Sequence, residues 1–350
     1  MELIAHLFSP LLSRPAISAM AHVFDTSASE PSVAMRAGHA AAFYNLAQSQ
    51  SEKFAQPASH SASPREPPGQ PPSQIGSWLL ESLAHDGAFT RVYRARPANS
   101  DGKPGHYALK VLQERWHDDP AALGRLRYEW IVGRAVAHRR VVSILSAHLH
   151  RPPYYIVMPW IEARSVAAQL SRQCQLETPV ALWIARQAAE GLEALHNLGY
   201  SHGDVNPANI LFAADGHVTL IDLSCARRCD NELPVGDQAI SGVPLYLAPE
   251  IFAGQPADLR SDIYSLGITL FEMLAGRLPM NSHDLSTVAE QKLRGALPSV
   301  RVFAPHTPGD IAQFIRLLTA RDPLRRPQRA RDAIQALERL EIATLAERVR

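Results

Sequence analysis

The sequence predicts an α+β chain in which a small, sheet-rich lobe is followed by a larger helical lobe. Three observations lead to this prediction. Two strand patterns lie within residues 87–113, a compact apolar run follows at 154–161, and apolar residues recur at helical spacing from residue 178 onward. Strands that come first and helices that come later are typical of a segregated α+β architecture.

Residues 1–73 precede this pattern and differ from it in composition. The stretch "PASHSASPREPPGQPPSQ" at 57–74 is rich in Pro and Ser and has no apolar period. A segment of this kind buries too little apolar surface to offset the entropy lost on ordering. We therefore predict that residues 1–73 are disordered and end in a linker.

The strands of the first lobe stand between clear turn signals. "GAFTRVYRARP" (87–97) and "HYALKVLQ" (106–113) are joined by "ANSDGKPG", a turn rich in Gly, Asp and Pro. On the second strand Ala108, Lys110 and Leu112 share one face. The pattern then predicts a helix over 122–137 and a further strand at 154–161.

The helices of the second lobe have start and stop signals. Thr178 is predicted to cap a helix that has Pro179 in its first turn, and "NLGY" at 197–200 supplies the glycine that ends it. Another helix, starting at Asp262, is apolar on nearly all sides. Such a helix is expected at the centre of its lobe.

Net charge, cysteine content and apolar windows indicate which partners and which location to expect. Lys and Arg number 35 against 34 Asp and Glu, so the net charge of +1 gives no electrostatic basis for a nucleic-acid partner. Three cysteines are too few for a disulfide framework and favour a reducing, cytoplasmic location. The most apolar window, at 263–276, is too short to span a membrane, so we expect no integral membrane segment.

Five polar residues, taken together, carry a chemical pattern: Lys110, Glu129, Asp204, Asn209 and Asp222. Each alone has an ordinary explanation as a solvated charge or a turn residue. Their order and spacing do not, with 19 residues from Lys110 to Glu129, 5 from Asp204 to Asn209 and 13 from Asn209 to Asp222. The pattern resembles the eukaryotic-type (Hanks-type) serine/threonine protein kinases, whose strand lysine, helix glutamate, H-R-D-x-x-x-x-N and D-F-G motifs come in this order.

Three later segments extend the resemblance, which covers about residues 77–340. They are "GVPLYLAPE" (242–250), "SDIYSLGITLFEML" (261–274) and "RDPLRRP" (321–327). The resemblance implies a bilobal protein kinase-like fold over 77–340, with 341–350 as a helical end. It also implies a structural ion pair between Glu250 and Arg326, and a bracing role for Asp262 beneath the catalytic loop.

The resemblance implies a role for each of the five residues. Lys110 would hold the phosphates of ATP from a partly solvent-facing position, and Glu129 would fix Lys110 by an ion pair. Asp204 would orient the substrate hydroxyl and accept its proton. Asn209 and Asp222 would supply oxygen ligands to Mg²⁺. The implied cofactors are ATP and Mg²⁺, and the implied partner is a protein substrate.

The resemblance also assigns the adenine-binding residues. Met158 matches the back of the pocket, and Pro159 and Ile161 match the segment that joins the lobes. Pro159 has no N–H, but its position is expected to offer adenine only its C=O, with the N–H supplied by Ile161. The remaining cofactor-binding residues are Gly87 in the phosphate loop, Val92 and Ala108 above the adenine, and Leu211 beneath it.

The phosphate loop and the D-F-G motif depart from the family pattern. Of the three loop glycines only Gly87 is present, and Asp86 adds a carboxylate that should weaken phosphate binding unless Arg91 or a metal compensates. After Asp222 the sequence has Leu223 and Ser224 in place of Phe and Gly. Leucine there is an acceptable apolar wedge, and serine should stiffen the turn.

The catalytic loop departs from the pattern as well. Gly203 replaces the arginine that would read a phosphorylated activation segment, and apart from Ser224 that segment has one hydroxyl acceptor, Ser241. Asn206 and Val243 replace the lysine and threonine that accompany the catalytic aspartate in serine/threonine kinases. Loss of one charge-stabilising donor lowers the rate by about 10²–10³ in comparable sites, so catalysis is expected to be slow.

Three functions fit these observations. The first is a serine/threonine protein kinase, with reduced activity. The second is a pseudokinase that acts as a nucleotide-binding or interaction module, and it shares every residue with the first. The third is a small-molecule phosphotransferase, because aminoglycoside and choline kinases carry H-G-D-x-x-x-x-N. The segments "GVPLYLAPE", "SDIYSLG" and "DPLRRP" are absent from that third class and argue against it.

Overall fold

The computed structural model describes residues 74–100, 105–229, 242–280 and 284–348. The predicted disordered region, 1–73, and Ser241 lie outside the described residues. Within them, the chain has a sheet-rich first part and a helical second part, as the sequence predicts. No helix among the described residues combines the length and the apolar character needed to cross a membrane.

The first lobe is built on one antiparallel sheet of six strands in the order β1-β2-β3-β4-β6-β5. Strands β3 and β4 are the two predicted strands, and their register sets Val92 opposite Lys110. Strand β6 aligns Met158 with Ala108 of β4. The six strands are β1 Gln74–Ile75, β2 Trp78–Asp86, β3 Thr90–Pro97, β4 Tyr107–Leu112, β5 Ser146–His148 and β6 Tyr155–Pro159.

One helix, α1 (Pro120–Ala135), packs against this sheet. It starts two residues before the predicted bound, because the Asp119 carboxylate accepts hydrogen bonds from the first-turn amides of Ala121 and Ala122. Its buried face includes Leu126, which joins Ala108, Leu112, Ile156 and Met158 in one apolar cluster. This packing holds the helix face that carries Glu129 next to β4.

The second lobe consists of helices around a buried central helix, α5. Thirteen of its seventeen residues are buried, which confirms the position predicted from its apolar character. It starts three residues before Asp262, because Asp258 and Ser261 form a capping box. The helices are α2 Val166–Gln173, α3 Thr178–His196, α4 Pro249–Phe252, α5 Leu259–Ala275, α6 Leu285–Arg294, α7 Gly309–Leu318 and α8 Ala330–Arg348.

One detail of these helices differs from the prediction. Thr178 is the first residue of α3 rather than its cap, and Glu177 precedes it in the N-cap position without a capping hydrogen bond from its side chain. Helix α8 runs without a break past residue 340, so residues 341–348 continue it. No disulfide joins any of the three cysteines, all of which lie in the described part of the chain.

Short strands between the helices carry the loops of interest. Strands β7, β9 and β10 form one small sheet, and β8 pairs with β11 in another. The chain between β8 and β9 contains Asp204 and Asn209, and the chain after β10 contains Asp222. These strands are β7 Ala163–Ser165, β8 Tyr200–Ser201, β9 Ile210–Ala213, β10 Val218–Leu220 and β11 Arg227–Arg228.

Candidate active site

Three of the predicted residues meet at the junction of the lobes. The Lys110 ammonium on β4 lies 2.8 Å from Glu129 Oε2 on α1 and 2.8 Å from Asp222 Oδ1 after β10. Lys110 is 5% exposed and Glu129 is 1% exposed, so the expectation of a partly solvent-facing lysine is wrong. Register on the sheet and packing of α1 together bury this ammonium beside the helix.

The Lys110 ammonium stabilises both carboxylates and is stabilised by them, whereas the charge of Asp222 raises the pKa of Glu129. Burial alone would lower the pKa of Lys110, but the Asp222 and Glu129 carboxylates outweigh it and raise that pKa above its usual range. Burial raises the pKa of Glu129 to about 7, against the opposing effect of Lys110. Burial also disfavours the Asp222 carboxylate, yet the ion pair with Lys110 holds the pKa of Asp222 well below its usual range.

Asp222 has a strained backbone, with φ of 64° in the left-handed region. The next residue, Leu223, is completely buried in an apolar cluster with Val132 and Leu195. It therefore acts as the apolar wedge that the sequence predicts. The Ser224 amide donates to Asp222 Oδ1 at 3.2 Å and helps to orient the carboxylate.

The loop between β8 and β9 orients Asp204. Asn209 Nδ2 donates to Asp204 Oδ2 at 2.8 Å and to the Asp204 carbonyl at 2.9 Å. The Val243 amide donates to Asp204 Oδ1 at 2.9 Å. Burial raises the pKa of Asp204, and the Val243 N–H lowers it in part. Both carboxylate oxygens are thus held by nitrogen donors from two separate segments.

Asn206 has a structural role in this loop that the sequence comparison did not reveal. Its Oδ1 accepts from the Ala208 amide at 2.9 Å, and its Nδ2 donates to the Asp204 carbonyl at 3.1 Å. Asn206 is 3% exposed, so it caps the short turn at 207–209 from inside the protein. A side-chain cap explains why an asparagine is suited to this position.

Asp262 lies directly beneath the catalytic loop, where the resemblance placed it. Its carboxylate accepts from the His202 amide at 2.7 Å and from the Gly203 amide at 2.9 Å, and His196 Nε2 lies 2.9 Å away. Gly203 has a φ of 77°, and a Cβ there would lie 2.3 Å from the Cys225 carbonyl oxygen. The loop geometry therefore requires glycine at this point.

The predicted pair of Glu250 and Arg326 is also present. Arg326 donates to both Glu250 oxygens, each at 2.7 Å, and both side chains are buried. A bidentate pair of this kind joins the start of α4 to the segment after α7.

A cleft of about 680 Å³ lies between the lobes, within the usual size of small-molecule sites. Asp222 and Asn209 line one side of it, and Asp204, which Asn209 contacts, is not part of the lining. Phe89, Arg125, Val142, Trp160 and Ile221 also line it and were not predicted from the sequence. Every residue predicted to bind the cofactor lines this cleft: Gly87, Val92, Ala108, Lys110, Met158, Pro159, Ile161 and Leu211.

The turn over the cleft is held by hydrogen bonds from the segment that follows β4. The Gly87 carbonyl accepts from Gln113 Nε2 at 2.6 Å, and the Ala88 carbonyl accepts from Trp116 Nε1 at 2.9 Å. Asp86 pairs with Arg91 at 2.9 Å, so the arginine offsets the carboxylate that was expected to weaken phosphate binding. The loop keeps a defined shape despite having one of the three glycines.

The sequence matches a known protein family and several curated relatives. The family model described as "Protein kinase domain" matches residues 83–338. The chain belongs to the protein kinase family. Serine/threonine-protein kinase PrkC of Bacillus subtilis is 29% identical over 257 residues, which are 73% of this chain and 39% of that protein. Serine/threonine-protein kinase PknL of Mycobacterium tuberculosis is 30% identical over 249 residues, 70% of this chain and 61% of that protein.

Arg125 is the most informative residue that sequence reasoning missed in this kinase domain. It lies one helical turn before Glu129 on α1, lines the cleft and has its guanidinium 4.9 Å from the centre of the Phe89 ring. Among the described residues, no carboxylate forms a salt bridge with it. The signal in the sequence was its spacing of four from Glu129, which puts both side chains on one helix face.

Two oxygen atoms of the site are suited to a cation. Asn209 uses its Nδ2 for both bonds to Asp204, which leaves its Oδ1 as an acceptor, and Asp222 uses Oδ1 for Lys110. In the described part of the chain, no group of three or more His, Cys, Asp or Glu side chains is arranged to hold a metal ion. Mg²⁺ needs no such cluster, since it is commonly held by one or two protein oxygens together with phosphates and water.

Proposed function

We propose that this chain is an ATP-dependent protein kinase that transfers the γ-phosphoryl group of ATP to a Ser or Thr hydroxyl of a protein substrate. The observation that carries the proposal is the contact of one buried ammonium, Lys110, with both Glu129 and Asp222 at the edge of the cleft. A phosphate-binding lysine is productive only when a helix glutamate holds it and a metal-binding aspartate is nearby.

The catalytic loop supports a base role for Asp204. Hydrogen bonds from Asn209 and the Val243 amide fix the carboxylate, so that it can orient a hydroxyl and accept its proton. Burial raises its pKa toward that of a more effective base. Because Val243 is exposed beside it, a polypeptide substrate can approach Asp204 along this segment.

Nucleotide and metal would be held by residues on both sides of the cleft. When bound, Mg·ATP would supply the phosphoryl group and a cation that offsets phosphate charge. Lys110 would bind phosphate oxygens, and Asn209 Oδ1 with Asp222 would bind the cation. Asp222 then has to serve a cation as well as Lys110, and a second carboxylate oxygen is available for that purpose.

Arg125 supplies positive charge to the cleft at a point where Lys110 and Asn206 do not. Lys110 is shared between two carboxylates, and Asn206 is neutral and engaged in its own loop. Arg125 lines the same cleft and stacks on Phe89 at the tip of the turn. We assign Arg125 as the cation that would neutralise the terminal phosphates in this kinase domain.

A pseudokinase is the second candidate, and one observation favours it. The turn at 87–90 gives its carbonyl groups to Gln113 and Trp116, and a turn held in this way closes less readily on phosphates. A small-molecule phosphotransferase receives no support, because the relatives are serine/threonine-protein kinases by name. Cytoplasmic location and the absence of a nucleic-acid partner remain predictions from composition.

Binding and transfer can be tested separately. Calorimetry with ATP in the presence and absence of Mg²⁺ should show binding that depends on the cation. Asp222→Asn should abolish that dependence, because one oxygen ligand loses its charge. Arg125→Ala should weaken ATP binding more than AMP binding, since AMP lacks the terminal phosphates. Equal affinities of parent and both variants for Mg·ATP would argue against these roles.

A further inference from the structure

Lys292 on α6 is a buried cation outside the cleft. It is 2% exposed, and among the described residues no Asp or Glu forms a salt bridge with it. In the described part of the chain lysine occurs only at positions 110 and 292, while arginine is abundant. Both lysines are buried, and each carries a compact ammonium with three N–H donors.

The Lys292 ammonium is bound by backbone carbonyls and by aromatic rings. Nζ donates to the Leu247 carbonyl at 2.6 Å and to the Leu245 carbonyl at 2.9 Å. It lies 4.8 Å from the centre of the Tyr264 ring and 5.9 Å from that of Phe252. Carbonyl dipoles and ring faces therefore replace the water that burial removes.

The carbonyls that Lys292 binds belong to a segment without regular secondary structure. Ser265 on α5 donates to the intervening Tyr246 carbonyl at 2.9 Å, so side chains of the helical lobe hold three consecutive carbonyl groups. At one end of this segment the Val243 amide donates to Asp204, and at the other end Glu250 pairs with Arg326. Lys292 thus fixes the middle of residues 243–250, which we call the strap, and one end of this strap contacts the proposed base, Asp204.

We infer that Lys292 is a positioning residue for the protein substrate: its ammonium holds residues 245–247 against α6, so that Val243 keeps Asp204 oriented and the substrate has a fixed surface to lie on. This inference rests on the proposed function. Without the ammonium, two carbonyl groups lose charge-assisted hydrogen bonds and the strap is free to move. The substrate hydroxyl would then meet Asp204 in the correct geometry less often.

The surroundings of Lys292 make this contact sensitive to pH. Burial lowers the pKa of Lys292 to about 7, the negative charge of Glu250 raises it in part, and Arg326 lowers it further. The Tyr264 hydroxyl lies 3.5 Å away, and burial raises the pKa of that group, so it stays neutral. These are the titratable groups that face the ammonium from α4, α5 and the segment after α7.

The two consequences of raising the pH have opposite signs. Above about pH 7 the ammonium loses its proton, so the hold on residues 245–247 weakens and turnover on protein substrate should fall. Stability should change the other way, because the folded state gives up this proton more easily than the unfolded chain, whose lysine has the ordinary pKa of 10.5. The Lys292 contribution to stability therefore rises between about pH 7 and 10.5.

The test compares Lys292→Met and Lys292→Arg with Arg294→Met, an exposed cation on the same helix, as the matched control. Turnover and KM for a protein substrate are measured from pH 6 to 9, with ATP affinity measured separately. Lys292→Met should lower kcat/KM for protein by at least about tenfold, the equivalent of one charge-assisted hydrogen bond, at unchanged ATP affinity. Lys292→Arg should keep most activity and lose the decline above pH 7, and Arg294→Met should match the parent.

Amide exchange of residues 243–248 gives a readout that does not need catalysis. Exchange should increase in Lys292→Met and not in the other two variants. If the parent transfers no phosphate, the proposed function fails, and this exchange still decides whether Lys292 holds the strap. If Lys292→Met does not fold, the test is the decline of kcat/KM above pH 7, compared between the parent and Lys292→Arg. The same decline in both proteins would overturn the inference. Unchanged kcat/KM and unchanged amide exchange in Lys292→Met would overturn it as well.

Discussion

Asn206 illustrates how one side chain can replace a catalytic role by a structural one. Both ends of its carboxamide bond the backbone of its own loop, where they cap the turn that presents Asn209. Serine/threonine kinases are expected to have a lysine here that neutralises the moving phosphoryl group. In this chain Asn206 caps the turn but provides no positive charge.

Restoring the lysine and its threonine partner should therefore raise turnover at a cost in stability. Asn206→Lys with Val243→Thr is expected to transfer phosphate faster than the parent, since a cation then acts where charge develops. Loss of the cap should lower the free energy of unfolding by about 1 kcal/mol. Asn206→Ala is the matched control, because it removes the cap without adding a cation. Steady-state kinetics and urea unfolding measure both effects, and no gain in the double variant would mean that Arg125 already supplies the charge.

Removing the buried lysine of the cleft should affect stability as well as binding. Lys110→Ala leaves the buried Glu129 without a cation and takes the partner from the half-buried Asp222, and breaking a buried ion pair costs about 3–5 kcal/mol. Glu129→Gln in the same chain removes one unpaired charge and should recover part of that loss. Urea unfolding of the parent, the single variants and the double variant measures it. A Lys110→Ala variant as stable as the parent would show that water reaches these carboxylates.

At the scale of elements, the strap between Asp204 and α4 depends on anchors at its two ends. The far anchor is the pair of Glu250 and Arg326, whose charged groups are buried together. Arg326→Met should lower the free energy of unfolding by about 3–5 kcal/mol, because it leaves the Glu250 carboxylate unpaired. Arg326→Met with Glu250→Leu should be more stable than Arg326→Met alone. The urea midpoint of unfolding should be higher for the double variant than for Arg326→Met. A lower midpoint for the double variant would contradict the role of the ion pair.

The starts of two helices and the whole of one strand were not predicted from the sequence. Helices α1 and α5 begin two and three residues before their predicted starts, because their polar caps, Asp119 and Asp258, lie outside the apolar pattern. Strand β2 was not predicted, since its residues do not alternate and its pairing with β3 contains register shifts. Its place in the sheet is set by pairing with a partner strand and by turns, which a local pattern does not report.

At the scale of the whole molecule, the sequence predicted the two-lobed α+β order and the residues that meet between the lobes. Lys110, Glu129 and Asp222 were identified because their types and spacings match a family pattern. The burial of Lys110, the cleft position of Arg125 and the Lys292 contacts were not predicted. Each depends on which surfaces meet after folding, and Lys292 lies 45 positions from the nearer carbonyl it binds.

A base role for Asp204 in phosphoryl transfer can be tested in a single labelling experiment. Transfer of label from γ-phosphate-labelled ATP to a generic protein substrate is followed for the parent, Asp204→Asn and Asp118→Asn, an exposed carboxylate outside the cleft. We expect Mg²⁺-dependent labelling by the parent and by Asp118→Asn. In Asp204→Asn we expect labelling to fall by at least about 10²-fold, with Mg·ATP affinity retained. Equal labelling by all three proteins, or tight Mg·ATP binding by the parent without any labelling, would show that Asp204 is not the base of a phosphoryl transfer.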